Sequence, residues 1–364
     1  MKIVHLIWSL NTGGSEAMLV DIVNRQARSE RVAVIIGNDE VDRNLIGSID
    51  GNVGVVSIGR PPGSRNPWYG LKLHASLKRL KPDVLHAHHQ SFIGLIRHLS
   101  VPKAVTIHTT RIVLSNSARN YDRVFCISSA VREDLNRRYP WLGCTIVHNG
   151  IDFSAVAQKT AYGSARFRIV QVSRLDSDSK GQDVLLRALQ LLIRRCGDIP
   201  ASVDFIGEGK SRDGLAALAE ELGVSARCRF LGACPRAYLY GHLRDYDLLV
   251  QPSRYEGFGL AVVEAMAARL PVLVSDVEGP MEIIDGGRYG YFFRAGDAED
   301  CADKILRVME HSRSREMPWE MNRNRNYARD RFDIELTAGH YLREYRDLVR
   351  KGSSGRRGGF PSVF

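Results

Sequence analysis

Short runs of apolar and β-branched residues alternate with amphipathic helical segments almost from end to end of this chain. That alternation restricts it to parallel sheets wrapped by helices. In the first half the strand-like runs fall at residues 2–8, 31–37, 53–58, 84–88, 104–109, 123–128 and 145–148, with helical patterns at 15–28, 69–80 and 130–139 between some of them. Around Asn149-Gly150-Ile151-Asp152 the rhythm breaks, polar residues run to Ala165, and a fresh strand opens at Arg168-Ile169-Val170-Gln171-Val172. The second half repeats the scheme at 202–206, 229–231, 248–251 and 271–275. With 364 residues the chain exceeds the roughly 250–300 that one core supports. The expected class is therefore α/β, with two doubly wound domains over residues 1–150 and 151–333. A helix near 318–331 leads into a terminal helix over about 334–350, which is expected to pack back on the first domain. The Gly-, Ser- and Arg-rich stretch 351–364 is expected to be a disordered tail.

A composition of 44% hydrophobic and 25% charged residues excludes global disorder and fibrous classes. No apolar run reaches the roughly 20 residues that span a bilayer, and Met1-Lys2-Ile3-Val4-His5-Leu6-Ile7-Trp8 passes into Asn11-Thr12-Gly13-Gly14 instead of a cleavage site. A cytoplasmic protein is expected. Six scattered cysteines without a Cys-x-x-Cys pair predict reduced thiols, most of them core filler. The net charge of +10 is uneven: residues 1–150 hold 19 basic against 11 acidic side chains, and the rest of the chain holds 32 against 30. No nucleic-acid module accompanies the basic half, so nucleic acid is not expected as a partner. An anionic membrane face or a phosphorylated, lipid-linked acceptor fits such a surface, as does plain solubility.

Glu256-Gly257-Phe258-Gly259-Leu260 leads into a helix that carries Glu264, so one carboxylate lies in a glycine-flanked turn and the other one turn into the helix. The glycines leave room for a ligand, and the free N–H groups at residues 258–260 face oxygen atoms. At about 1.5 Å per residue the two carboxylates are at most about 12 Å apart, the span of a nucleotide sugar. Arg174 and Lys180 follow the first strand of the second half, a pairing suited to a diphosphate. Asp176-x-Asp178 could hold a metal ion but is read as a loop, because the nearby cations already neutralise phosphates. Gly13-Gly14 lies between a strand and a helix, but it lacks the third glycine of a dinucleotide fingerprint. His86, His88 and His89 are read as polar substrate contacts rather than metal ligands. His108 ends a strand, either as a substrate contact or as a satisfied core histidine.

In order and spacing, Gly13-Gly14, His108, Asn149-Gly150-Ile151-Asp152, Arg174 with Lys180, Gly207-Glu208-Gly209 and the Glu256–Glu264 segment resemble the retaining, nucleotide-sugar-dependent glycosyltransferases of family 4, with the GT-B fold. The match spans about residues 2–350. The resemblance implies two Rossmann-like domains facing across a cleft, the first for the acceptor and the second for the donor. It implies that Glu256 and the backbone at Phe258, Gly259 and Leu260 hold the donor sugar, Glu264 the ribose, and Arg174 with Lys180 the diphosphate. Gly14 would approach the phosphate, His108 the sugar, and Gly207, Glu208 and Gly232 would border the base. Lys210 stands where the family often has proline, and Glu278-Gly279-Pro280 replaces a more usual Gly-Gly.

Such enzymes transfer a hexosyl group without a metal or resident cofactor, the nucleotide-diphosphate sugar serving as co-substrate. The acceptor, a saccharide or lipid-linked glycan of bacterial surface polysaccharide or lipopolysaccharide, would be chosen by loops at 60–69, 88–92 and 111–119. A nucleotide-sugar epimerase, a phosphorylase-like enzyme and a silent nucleotide-sugar-binding module share the architecture.

Overall fold

The computed structural model describes residues 1–11, 13–197 and 199–355, with side chains as far as Lys351. It divides into two compact units, one formed by Met1–Gly150 with the helix that begins at Ile334, the other by Ile151–Asp333.

The first unit holds a sheet of seven parallel strands: β1 (Lys2–Ile7), β2 (Arg31–Asn38), β3 (Gly54–Arg60), β4 (Val84–Ala87), β5 (Lys103–Ile107), β6 (Arg123–Cys126) and β7 (Cys144–Ile146), in the order β3-β2-β1-β4-β5-β6-β7. Strand β1 lies centrally, and its residues Ile3 to Ile7 are all buried, as expected of a strand covered on both faces. Helix Gly14–Gln26 turns Leu19, Ile22 and Val23 into the same core as Tyr341, Tyr345 and Leu348 of the terminal helix. Glu335 fastens that helix to Arg25 and Arg28, each at 2.9 Å. The helix runs Ile334–Gly355, five residues past the expected end. The rest of the expected tail, 356–364, lies outside the described residues.

The second unit holds six parallel strands: β8 (Phe167–Val172), β9 (Ala201–Ile206), β10 (Cys228–Gly232), β11 (Leu248–Gln251), β12 (Val272–Ser275) and β13 (Tyr291–Phe293), in the order β10-β9-β8-β11-β12-β13. Helix Gln182–Cys196 carries Val184, Leu185, Ala188, Leu189 and Leu192 on one stripe. It packs on the helix Ala298–His311 through that helix's Cys301, Ala302, Ile305 and Val308. Each Val, Leu or Ile among them contributes about 1.5–3 kcal/mol by leaving water. The three-residue edge strand β13 was not legible in the sequence, being too short to show a period.

The polar stretch that marks the boundary is not a loose linker. Ala157 N–H bonds the carbonyl of Tyr240, and Lys159 N–H bonds that of Ala268. The buried Lys159 ammonium reaches Asp247 at 3.0 Å and the Tyr246 carbonyl at 2.7 Å. No helix among the described residues is long and apolar enough to cross a membrane.

In both sheets strand order reverses beside the first strand, between β1 and β4 and between β8 and β11. Such reversals leave a crevice at the carboxyl ends of the strands, where ligands of open α/β sheets bind.

Candidate active site

At the β8/β11 reversal, loops from neighbouring strands are pressed together at glycines. Gly207 has φ +137°, and a Cβ there would lie 1.9 Å from the Ser173 carbonyl oxygen. Gly181, at φ +64°, lies equally close to the Pro252 carbonyl oxygen, where a Cβ would stand at 2.0 Å. Only glycine permits both the backbone conformation and the approach. Backbone bonds then lace the loops: Leu175 N–H to Glu208 O at 2.9 Å, Gly207 N–H to Gly232 O at 2.8 Å, and Arg254 N–H to Ser179 O at 2.8 Å. Gly279 seats the next loop, since a Cβ there would stand 2.5 Å from the Glu256 carbonyl oxygen. The Glu278-Gly279-Pro280 variation thus forms the first turn of the helix Glu278–Ile283, packed against the Glu256 turn.

Within this frame Lys180 and Glu256 meet, Nζ to Oε2, at 2.6 Å, although 76 residues separate them. Gln251 Nε2 and Ser253 Oγ each donate to the same carboxylate oxygen at 3.4 Å. Both ions are largely buried, with side-chain exposures of 17% and 15%, so their attraction is screened less than at an open surface. Arg174 is exposed on the loop before Lys180, and among the described residues none forms a side-chain hydrogen bond or ion pair with its guanidinium. Gly259 caps the helix Leu260–Ala267 at φ +114°, and the first-turn N–H groups of such a helix lack intrahelical partners. Glu264 lies one turn on and is buried, as is the Phe258 ring, which packs edge-on against Phe332. Glu208 is exposed at the β9 end, and its carboxylate flanks Gly232. Lys180, Glu256, Phe258, Gly259, Leu260, Glu264, Gly207, Glu208, Gly232 and Arg174 all belong to the loops or following helix of this one sheet edge. Asp176 and Asp178 are both paired to Lys210, at 3.2 and 3.3 Å, a cation that the sequence reading did not connect with the acidic pair.

Gly14 and His108 lie in the first unit. Gly14 opens the helix Gly14–Gln26, whose acidic first-turn residue is Glu16. The His108 ring has a buried Nδ1 without a partner among the described residues, and burial pushes its pKa down to about 4, so the imidazole is neutral near pH 7. His86 corrects the expectation of a substrate contact. It is fully buried, bonded to Thr106 Oγ1 at 2.8 Å and to the Tyr345 hydroxyl. Its alternation with His88 does place both on one face, but that face meets the terminal helix, which sequence spacing could not reveal. His88 bonds His5 at 3.0 Å, and His5 Nε2 donates to Gln26 Oε1 at 2.8 Å. His5, His86 and His88 offer ligand atoms within 4.8 Å of one another, yet each is already engaged in these bonds. A cavity of about 420 Å³ in the same unit is lined by Trp8, Arg60, Arg65, Tyr69 and Phe92, and so draws on two of the loops expected to choose an acceptor.

Sequence reading missed the glutamines that hold the loops. Buried Gln171 donates to the Lys180 carbonyl and buried Gln182 to the Arg174 carbonyl, both at 3.0 Å, while Gln251 ends β11 beneath Glu256. The available signal was a polar amide inside or beside an apolar run, as in Val170-Gln171-Val172 and Val250-Gln251-Pro252.

Two family models match: glycosyl transferases group 1 over residues 153–325, and glycosyltransferase family 4 over residues 12–155. The phosphatidyl-myo-inositol mannosyltransferase of Mycobacterium leprae is 28% identical over 289 residues, covering 74% of this chain and 75% of that protein. The D-inositol 3-phosphate glycosyltransferase of Corynebacterium jeikeium is 32% identical over 268 residues, or 62% and 64%. Among solved structures, the Anabaena HepE protein in complex with UDP and glucose superposes with a TM-score of 0.80 at 20% identity, over 95% of this chain and 100% of that one. The two matched segments, the pair of parallel sheets and these relatives agree that the chain is a glycosyltransferase of the family 4 type, with the GT-B fold.

Proposed function

We propose that the enzyme is a retaining transferase that moves a hexosyl group from a nucleotide-diphosphate sugar to a saccharide or lipid-linked acceptor, without a metal ion. The observation that carries this reading is the Lys180–Glu256 pair at the strand-order reversal of the second unit, beside the exposed Arg174. Arg174 and Lys180 take the diphosphate and offset the charge that grows on it as the anomeric bond ionises. Glu256, with the N–H groups at Phe258, Gly259 and Leu260, receives the sugar hydroxyls. Glu264 holds the ribose, and Gly207, Glu208 and Gly232 border the base. In the first unit Gly14 opens a helix and His108 is a neutral hydrogen-bonding imidazole. The departing phosphate oxygen takes the acceptor's proton, so no protein carboxylate forms a covalent intermediate.

HepE structures that contain UDP or UDP-glucose support a uridine donor. The solved lipopolysaccharide outer core galactosyltransferase WaaB, with a TM-score of 0.70 at 16% identity, has the same fold and supports a surface-glycan acceptor by analogy alone. The basic residues of the first unit suit peripheral attachment to an anionic cytoplasmic membrane face. Thermal-shift titration with UDP, GDP, ADP and CDP tests the donor. UDP at about 100 times its Kd stabilises the protein by about 2.7 kcal/mol. A melting temperature unmoved by all four nucleotides contradicts the reading. An anomer-resolved product analysis tests retention, and salt-sensitive sedimentation with anionic vesicles tests the membrane face.

A further inference from the structure

Two of the six cysteines meet across neighbouring strands of the first sheet. Cys126 ends β6 and Cys144 begins β7, and in the parallel register Cys126 faces Ile146 while Cys144 faces Val124. The two cysteines are therefore diagonal neighbours on one face of the sheet. Their sulfur atoms are 3.2 Å apart, with the Cys126 S–H donating to Cys144, and all six cysteines of the chain are free thiols. Cys126 is buried, whereas Cys144 is partly exposed.

Two further features distinguish Cys144. It borders a cavity of about 460 Å³ together with Arg119, Arg123, Trp141 and Thr145, through which a small reagent can reach it. Its pKa is lowered from the ordinary value by the hydrogen bond from Cys126, which outweighs the opposing effect of burial, with the Arg132 charge adding the least of the three. An accessible, thiolate-favouring sulfur beside a buried partner thiol is the arrangement of an attacking and a resolving cysteine. The other half-exposed thiols, Cys228 and Cys234, are shifted the opposite way by burial.

We propose that Cys144 and Cys126 form a reversible dithiol–disulfide site that is oxidised by low-molecular-weight disulfides entering the cavity beside β7. The Cys144 thiolate attacks one sulfur of the reagent, whose S–S bond breaks and releases one thiolate. Cys126 then loses its proton and attacks the Cys144 sulfur of the mixed disulfide, expelling the second thiol. Two protein thiols lose two electrons and two protons in all, and the reagent becomes two thiols. The new bond needs the sulfurs to approach by little more than 1 Å, from 3.2 Å to the roughly 2.05 Å of a disulfide.

The test is to incubate the reduced, full-length chain with oxidised glutathione and map its peptides by mass. The expected product links Cys126 to Cys144, and dithiothreitol returns both thiols. In Cys126→Ala a glutathione adduct is trapped on Cys144, and in Cys144→Ala the Cys126 thiol stays unmodified. Initial labelling of Cys144 in the wild type is expected to be about tenfold faster than labelling of Cys228. Absence of the cross-link in the wild type overturns the proposal, as does an adduct that accumulates on exposed Cys196 while Cys144 stays free. Because both results are read on the wild-type chain, a variant that fails to fold leaves the decision intact.

Discussion

The two units share one plan, a parallel sheet whose strand order reverses beside its first strand, but their reversals hold opposite chemistry. The first, in the more basic half of the chain, gathers the neutral imidazoles of His5, His86 and His88 with tyrosine and threonine hydroxyls. The second, where charge nearly balances, gathers an ammonium, a carboxylate and an exposed guanidinium. Net charge over a hundred residues therefore does not locate a charged site. Charge that acts on a ligand is set by which side chains the loops deliver to one edge. Exposed and buried ion pairs occur in both units. Glu335 and Glu30 clamp the terminal helix of the first unit with pairs that each include an exposed partner, while Lys159–Asp247 in the second is buried on both sides.

Acid should separate the units most strongly. Burial pushes the pKa of His5 and of His108 down to about 4, and those of His86 and His88 well below the ordinary 6.5. An unfolded histidine thus binds a proton that its folded counterpart refuses between about pH 6.5 and pH 4. Stability falls with falling pH across that window, by on the order of 1.4 kcal/mol per pH unit for each imidazole. In the second unit burial raises the carboxyls of Asp183 and Asp204, but the Arg254 and Arg229 forks outweigh it and hold both below 3.8. Their stabilisation is present above pH 3.8 and fades only below it. Hydrogen exchange at pH 7 and pH 5 should show protection lost in β1, β4 and β5 before β8 and β11. Equal loss in both sheets would erase the contrast.

Next in size is Lys159→Met, which strands the buried Asp247 carboxylate and should cost about 3–5 kcal/mol in a denaturant titration. Its counterpart at the surface of the first unit, Glu335→Ala, should cost less than about 1 kcal/mol. Between them falls Gly207→Ala. The new Cβ meets a backbone oxygen in a backbone conformation foreign to alanine, for about 3 kcal/mol. Gly47→Ala, in open space at the end of the helix Arg43–Gly47, should shift stability by less than about 1 kcal/mol. If both alanines cost the same, the glycine-pressed loops do not distinguish the second unit.

Much of this contrast was legible in residue order. Strands buried on both faces announced themselves as apolar runs, so the sheets and the break near Gly150 could be drawn without coordinates. Loops following strands placed Arg174, Lys180 and Glu256 at one edge, because parallel topology brings all strand ends together. What stayed hidden were partners distant in sequence. Lys180 is compensated by Glu256, and Lys210 neutralises Asp176. Tyr345 closes over His86, and Cys144 lies against Cys126 across two strands. No period or spacing encodes such meetings, since they follow from the register between elements. The buried glutamines were passed over for another reason: a lone amide reads as noise until its hydrogen bonds to loop carbonyls are seen.

The central claim is that the charged edge of the second unit works on the activated sugar. Its most direct test is the rate of nucleoside diphosphate release from the donor that stabilises the protein, in Lys180→Ala and in Glu256→Ala. Each substitution should lower the rate by about 10²–10³-fold, the loss typical of removing one group that stabilises transition-state charge. Folding of both variants is checked by their melting curves. Turnover within about twofold of wild type in both folded variants, less than about 0.5 kcal/mol of barrier, would contradict the account.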